Sequence, residues 1–214
     1  MSEDRTRYVP ALGLRSLTRF YDPVIAATTR ERTFKARLLD QLGPGAGQRI
    51  LDLACGTGTL ARAIAEREPE AEVVGVDGDA EMLARARAKA PNVHFDEAMA
   101  QELPYDDASF DAVVTSLFLH HLTRDSKLAA LAEVARVLRP GGELHVADWG
   151  PPSDPLMALA FTGIRLLDGF EPTRDNARGE LPAIIESAGL TDARERGCLR
   201  TMFGTLAFYS ALRA

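Results

Sequence analysis

The chain has 214 residues, 46% apolar and 26% charged, the balance of one well-buried domain with a small appendage. Its formal net charge is -6 at pH 7, with Arg scattered among Asp and Glu, which argues against a nucleic-acid partner because such partners need clustered Lys and Arg. Cys55 and Cys198 give neither a metal-ligand spacing nor a secreted-type disulfide framework, the start lacks an apolar signal core, and no stretch approaches the roughly 20 apolar residues of a membrane span, so a cytoplasmic protein without an integral membrane segment is expected.

Residues 1–45 read as a helical lead-in or cap. Leu12, Leu14 and Leu17 precede Phe20-Tyr21-Asp22-Pro23, and a run over 24–42 carries Phe34, Leu38 and Leu42 at helical spacing. Gly43, Pro44, Gly45 and Gly47 break it. The period then changes. Arg49-Ile50-Leu51-Asp52-Leu53 predicts a buried strand, a glycine turn follows, and 59–67 predicts a helix. Residues 72–77 are a second strand, 80–90 a helix stopped by Pro91, 92–95 a third strand and 110–116 a fourth. Over 127–138, Leu128, Leu131, Val134, Ala135 and Leu138 share one helical face. Pro140-Gly141-Gly142 is expected to turn the chain into a fifth strand, 143–147.

Strands alternating with helices of this length predict an α/β fold, a mostly parallel sheet covered on both faces. Right-handed crossovers put the strand C-termini on one edge, where such sheets bind ligands. After Trp149 come a Pro-rich opening, an apolar segment over 156–167 and a polar stretch over 168–179, which together read as an insertion or lid at about 150–180. A last helix over 181–188 and strand-like segments at 193–197 and 205–210 close the domain, 46–214.

The chemistry centres on Asp52-Leu53-Ala54-Cys55-Gly56-Thr57-Gly58. Gly56 and Gly58 allow positive φ and close backbone approach beside a helix N-terminus, which suits a phosphate or the amino-acid tail of a nucleoside ligand. By itself Gly56-Thr57-Gly58-Thr59-Leu60-Ala61 also fits a dinucleotide fingerprint. Asp77, at the end of the second strand, can accept hydrogen bonds from both ribose hydroxyls of either kind of ligand. Asp52 separates the two: a carboxylate beside the turn repels a pyrophosphate and favours a sulfonium or ammonium group.

The stretch Ile50 to Gly58 resembles the first motif of class I S-adenosylmethionine-dependent methyltransferases. Val74-Gly75-Val76-Asp77, the run Leu103 to Asp111 (Leu-Pro-Tyr-Asp-Asp-Ala-Ser-Phe-Asp) and the run Arg136 to Gly142 (Arg-Val-Leu-Arg-Pro-Gly-Gly) follow in that family's order. The ubiquinone/menaquinone-biosynthesis type is the subgroup most suggested, with Phe20-Tyr21-Asp22 and Phe203-Gly204-Thr205-Leu206-Ala207 agreeing. The resemblance implies a Rossmann-like fold of seven strands, one of them antiparallel near the C-terminus. It implies S-adenosylmethionine as cofactor, S-adenosylhomocysteine as product, a small-molecule methyl acceptor and no metal. A monomer or homodimer is expected. It places Leu53, Ala54, Gly56, Thr57 and Gly58 along the methionine part, Asp77 on the ribose, and Gly78 and Met82 near the adenine. Ser116 and Leu117 would contact the methionine tail through backbone atoms, and Tyr21 would fold over the cofactor unless it is a core residue. The family's usual Gly-Asp-Ala is here Ala98-Met99-Ala100, so the acid that accepts from the adenine amino group is lost while the Ala100 N–H remains. Weaker or adjusted adenine binding is expected, or a core or stacking role for Met99.

His120 and His121 follow the fourth strand on the ligand edge. Either one takes a proton from the acceptor, as a group titrating near neutrality can, or both cap the next helix or bond to backbone. Asp148 either orients substrate or caps the next segment, and Trp149 is a candidate pocket wall. Cys55 reads as packing, and His94 and His145 as structural. The apolar run 156–161 fits a greasy pocket wall, hence a hydrophobic or aromatic acceptor, and equally a core helix. Two competing classes are a sensor that binds S-adenosylmethionine without turnover, kept open by the altered 98–100 loop, and a nicotinamide oxidoreductase, which gives no reason for Asp52.

Overall fold

A computed structural model describes residues 30–214. Leu12, Leu14, Leu17 and Tyr21 lie outside the described residues. In chain order the elements are α1 (Glu31–Leu42), β1 (Arg49–Leu53), α2 (Thr59–Arg67), β2 (Glu72–Asp77), α3 (Ala80–Lys89), β3 (His94–Glu97), β4 (Phe110–Ser116), a 3-10 turn (Leu119–His121), α4 (Arg124–Val137), β5 (Leu138–Trp149), α5 (Pro155–Asp168), α6 (Arg174–Arg178), α7 (Leu181–Ser187), β6 (Leu190–Thr201) and β7 (Gly204–Arg213).

The seven strands form one sheet in the order β3-β2-β1-β4-β5-β7-β6. The first five are parallel, and β7 runs antiparallel to both β5 and β6. That is the expected mostly parallel sheet with one reversed strand. From β1 the chain works outward to β3, then returns to β4 on the other side of β1. The C-terminal ends of β1 and β4 are therefore a topological switch point, where the loops diverge and leave a crevice.

Alternation along the strands splits the core between two faces. On one, Leu51, Leu53 and Val113 pack with Leu131 and Val134 of α4 and Ile184 and Ile185 of α7. On the other, Ile50, Ala112 and Val114 meet Phe34 and Leu38 of α1, Leu60 and Ile64 of α2, Leu83 of α3 and Phe161 of α5. Helix α1 is tied down as well as buried: Gln41 Nε2 donates to the Tyr209 carbonyl at 2.8 Å and Arg37 to that of Cys198 at 2.8 Å. No helix among the described residues is long and apolar enough to cross a membrane.

The structure departs from the sequence reading chiefly in β5. Pro140-Gly141-Gly142 does not precede the strand but lies inside it. Phe110 pairs with Leu138 and Ala112 already with Glu143, so residues 139–142 bulge out of the ladder. Gly141 sits at φ 77°, and a Cβ on Gly142 would come within 2.9 Å of the Asp111 carbonyl oxygen. The last two strands are also longer than their apolar segments, because as a hairpin they pair through exposed as well as buried positions.

Candidate active site

The glycine loop leaves β1 through Leu53 and runs through three positive-φ residues, Ala54 (56°), Gly56 (54°) and Gly58 (70°), the last capping α2. The two glycines serve different ends. A Cβ on Gly58 would lie 2.8 Å from Phe95 Cζ and 2.9 Å from Ala86 Cβ, so the loop can press onto α3 and β3 only with hydrogen there. A Cβ on Gly56 would meet no atom of the described residues within 4 Å, so this glycine faces open space at the strand ends. Cys55 packs its sulfur towards Gly75, where a Cβ would be 3.0 Å away. Burial and the nearby Asp52 push its thiol far above the usual range, which fits a packing residue. Thr57 is buried, and its hydroxyl accepts from Lys89 Nζ at 2.8 Å.

Two acids flank the loop. Asp52 is buried, and its Oδ2 accepts from the Ala61 N–H at 2.9 Å in the first turn of α2. Burial pushes its pKa up to about 7, against the opposing pull of Lys35. Asp77 ends β2. Its Oδ2 accepts from the Gly56 N–H at 2.8 Å and its Oδ1 from the Asp79 N–H at 2.9 Å. Burial raises its pKa and these two donors hold it back. A carboxylate has about four lone-pair positions, so Asp77 keeps acceptor capacity for hydroxyls while bracing the loop. Gly78 follows in the turn. Asp79 caps α3 by accepting from the N–H groups of Glu81 and Met82, and Met82 is buried.

The loop after β3 abuts this end, the Ala98 N–H donating to the Asp77 carbonyl at 3.2 Å. Ala100 is buried, whereas Met99 is 40% exposed, so the core role open to Met99 is not the one it has.

Across the crevice, the Thr115 hydroxyl donates to the Leu53 carbonyl at 2.8 Å and ties β4 to the loop. Ser116 ends the strand. Leu117 follows at φ 52°, a conformation unusual for a branched residue, held by its N–H donating to Ala147 O at 2.9 Å. This kink throws the next residues over the end of β5. There buried Asp148 accepts through Oδ2 from the N–H groups of Phe118, Leu119 and His120, and through Oδ1 from His120 Nδ1 at 2.6 Å and the Trp149 N–H at 2.7 Å. Burial works to raise the Asp148 pKa, yet His120 and the Trp149 N–H outweigh it and the net shift is downward. Asp148 thus caps the preceding turn rather than the following segment. The bond to Nδ1 leaves His120 Nε2 as the free ring position.

His121 lies alongside, ring centroids 4.0 Å apart. Burial, then the neighbouring His120, push its pKa down to about 3. The His121 N–H donates to the Phe118 carbonyl at 3.0 Å, while neither imidazole ring bonds to a backbone carbonyl among the described residues. Trp149 is buried between His120 and Phe161, with centroids 6.2 and 5.7 Å away. His94 pairs with Asp96 and His145 contacts Gln41 and Glu143, all away from the crevice.

Three polar residues of the lid region and α4 escaped the sequence reading. Asp168, ending α5, places one carboxylate oxygen 3.7 Å from His120 Nε2 and the other 3.7 Å from His121 Nδ1. Asn176 donates to the Trp149 carbonyl at 2.9 Å. Lys127, fully buried, donates to Asp175 Oδ2 at 2.9 Å and to Pro172 O at 2.6 Å, anchoring α6 to α4. The apolar run of α5 is split: Met157 and Phe161 are buried, while Leu156 and Leu159 are exposed, the latter at 72%.

The profile of a family described as a methyltransferase domain matches residues 50–142. An uncharacterized methyltransferase of Synechocystis sp. is 31% identical over 165 residues, 77% of each chain. The chain belongs to the class I S-adenosylmethionine-dependent methyltransferases. Among other members, the demethylmenaquinone methyltransferase of Thermus thermophilus is 43% identical over 132 residues, 60% of this chain and 59% of that protein. The ubiquinone/menaquinone biosynthesis C-methyltransferase of Dinoroseobacter shibae is 38% identical over 136 residues, 61% of this chain and 54% of that one. The chain thus spans little more than half the length of these quinone-pathway relatives. The solved phosphoethanolamine N-methyltransferase 2 of Haemonchus contortus has the same fold, with TM-score 0.72 at 17% identity, covering 95% of this chain and 58% of that one. This methyltransferase fold brings the glycine loop, Asp52, Asp77, the 98–100 loop, Ser116 and Leu117 to one edge, and His120, His121 and Asp148 to the adjoining end of β5.

Proposed function

We propose that the protein transfers the methyl group of S-adenosylmethionine to a small hydrophobic or aromatic acceptor, of the hydroxylated ring type that the names of its quinone-pathway relatives suggest. The observation that carries this is the pair of acids around the glycine loop. Asp77 fixes the Gly56 N–H at 2.8 Å and retains capacity for ribose hydroxyls, and buried Asp52 sits where a sulfonium or ammonium group is favoured over a pyrophosphate. In this reading the backbone of residues 53–58, with Ser116 and Leu117, lines the methionine part; Gly78, Met82, Met99 and Ala100 surround the adenine; Tyr21 adds to the cofactor side. Residues 46–214 are the catalytic unit, 150–180 its lid and 1–45 its lead-in.

The reaction is an in-line displacement. The acceptor's nucleophilic atom bonds to the methyl carbon, the carbon–sulfur bond breaks, and its electron pair stays on sulfur as S-adenosylhomocysteine. The cofactor is already activated, so the protein supplies alignment and exclusion of water. A phenolic or ring-carbon acceptor must also lose a proton. His120 Nε2 suits that task, because Asp148 holds the proton-bearing Nδ1 at 2.6 Å. Incubation with methyl-labelled S-adenosylmethionine and a panel of quinols, phenols and amines tests this. Label is expected in a quinol or phenol; cofactor binding with no transfer to any acceptor points instead to a sensor.

A further inference from the structure

We propose that His120, His121 and Asp168 form a binding site for one divalent transition-metal ion, with Asp148 orienting the first ligand. One ligand atom from each residue lies within 4.8 Å of the others. The two Asp168 oxygens each face one imidazole nitrogen at 3.7 Å. That is too long for a hydrogen bond. Those two separations are near the roughly 3.4 Å between ligands sharing a tetrahedral ion with bonds of about 2.1 Å, and side-chain rotation must bring the remaining pairs in from within 4.8 Å. Among the described residues neither the His121 ring nor the Asp168 carboxylate makes a hydrogen bond, which leaves both available as donors to a metal.

The surroundings have the form of a metal site. Metal-binding histidines characteristically direct their second ring nitrogen at a carboxylate or carbonyl, which fixes the ring and raises its basicity. Asp148 does this for His120 at 2.6 Å, and is itself immobilised by four backbone N–H groups, those of Phe118, Leu119, His120 and Trp149. Two imidazoles and one carboxylate favour zinc, iron, cobalt or nickel over magnesium or calcium. Three protein ligands leave a position for water or an acceptor oxygen, and His121, with 29% of its side chain exposed, provides access.

The consequence for catalysis rests on the methyl-transfer reading. A hydroxyl bound to the ion ionises more readily. Its proton goes to solvent, and the oxygen then attacks the methyl carbon as the carbon–sulfur bond breaks. The ion would then activate the acceptor hydroxyl in place of His120, whose Nε2 it occupies.

The test is titration of Co(II) alone into the chelator-stripped full-length chain, followed by visible d–d absorption and reversed with Zn(II). S-adenosylhomocysteine binding is measured by calorimetry on the same samples. One equivalent of Co(II) per chain is expected. His121→Ala and Asp168→Ala should each weaken it by at least the roughly 10–100-fold that loss of even an outer-shell partner costs, while S-adenosylhomocysteine binding persists. Asp168→Asn preserves shape and should also weaken Co(II), so the test holds if an alanine variant fails to fold. No Co(II) spectrum in the parent chain, or binding undiminished in the variants, overturns the site. Co(II) binding without S-adenosylhomocysteine binding would overturn the methyl-transfer reading and leave the metal site standing.

Discussion

Gly56 and Gly58 stand two residues apart at φ 54° and 70°, and replacing each by alanine should produce opposite kinds of damage. Both substitutions place an L-residue in the left-handed region, at about 1–2 kcal/mol. At Gly58 the new Cβ also falls 2.9 Å from the Ala86 Cβ and 2.8 Å from the Phe95 ring. Ala86 and Phe95 are buried in the core under α3, so neither can step aside cheaply. Overpacking of this sort costs about 1–3 kcal/mol, which brings Gly58→Ala to about 2–5 kcal/mol. At about 2–4 °C per kcal/mol for a chain of this size, Tm should fall by about 4–20 °C. At Gly56 no atom of the described residues lies within 4 Å of the new Cβ, so stability should fall only by the conformational cost. The methyl group would instead stand in the crevice assigned to the methionine part of the cofactor. A clash of about 1–3 kcal/mol there lowers affinity by roughly 5–150-fold. Urea unfolding and S-adenosylhomocysteine calorimetry on both variants measure the two effects separately. Equal stability losses, or unchanged affinity in Gly56→Ala, would refute the assignment of one glycine to packing and the other to ligand approach.

Three further outcomes follow from the same geometry. Lys127→Met leaves Asp175 in the interior without its 2.9 Å partner and should cost about 3–5 kcal/mol in urea unfolding, towards the lower end because Arg124 also contacts Asp175 at 3.3 Å; a loss below 1 kcal/mol (roughly a surface pair's worth) would contradict a buried anchor for α6. Met99→Asp restores an acceptor at an exposed position, so stability should change by no more than about 0.5 kcal/mol while S-adenosylhomocysteine affinity improves several-fold; unchanged affinity in calorimetry would sink the idea that the 98–100 loop departs from adenine capping. Burial lifts Asp52 to about 7, above its ordinary value of 3.8, so the folded chain holds a proton that the unfolded chain releases. Its contribution to stability is therefore full below that ordinary value and lost as pH rises through about 7. Relative to Asp52→Asn, the ligand-free parent should lose stability between pH 5 and pH 8, and S-adenosylmethionine affinity should rise as the acid ionises; opposite slopes would show that Asp52 is not the buried counter-charge.

The parallel half of the sheet was legible because its strands are short apolar runs separated by helices with clear periodicity. The glycine loop was legible because its backbone needs residues that tolerate positive φ. Gly58 and Gly75 also announce the close packing of Phe95 and Cys55 that the loop requires. The bulge in β5 was not, since Pro140-Gly141-Gly142 reads locally as a strand boundary and only pairing with Phe110 shows that the ladder begins earlier. The outer strand β6 was underestimated because few of its residues are buried and its alternation is weak. His120 and His121 were visible as a pair, but not the company they keep. Asp168 reaches them only because α5 folds back across the end of β5, a contact between residues 47 and 48 apart. Lys127 was legible only as the start of the helix over 127–138, because its burial depends on Asp175 and Pro172 arriving from the lid.

Calorimetric titration of the full chain with S-adenosylhomocysteine and, separately, NAD tests the assignment of the glycine loop most directly. The geometry of Asp52, Gly56 and Asp77 predicts one S-adenosylhomocysteine per chain and no NAD binding, with affinity reduced in Asp77→Asn. Binding of NAD alone would contradict it.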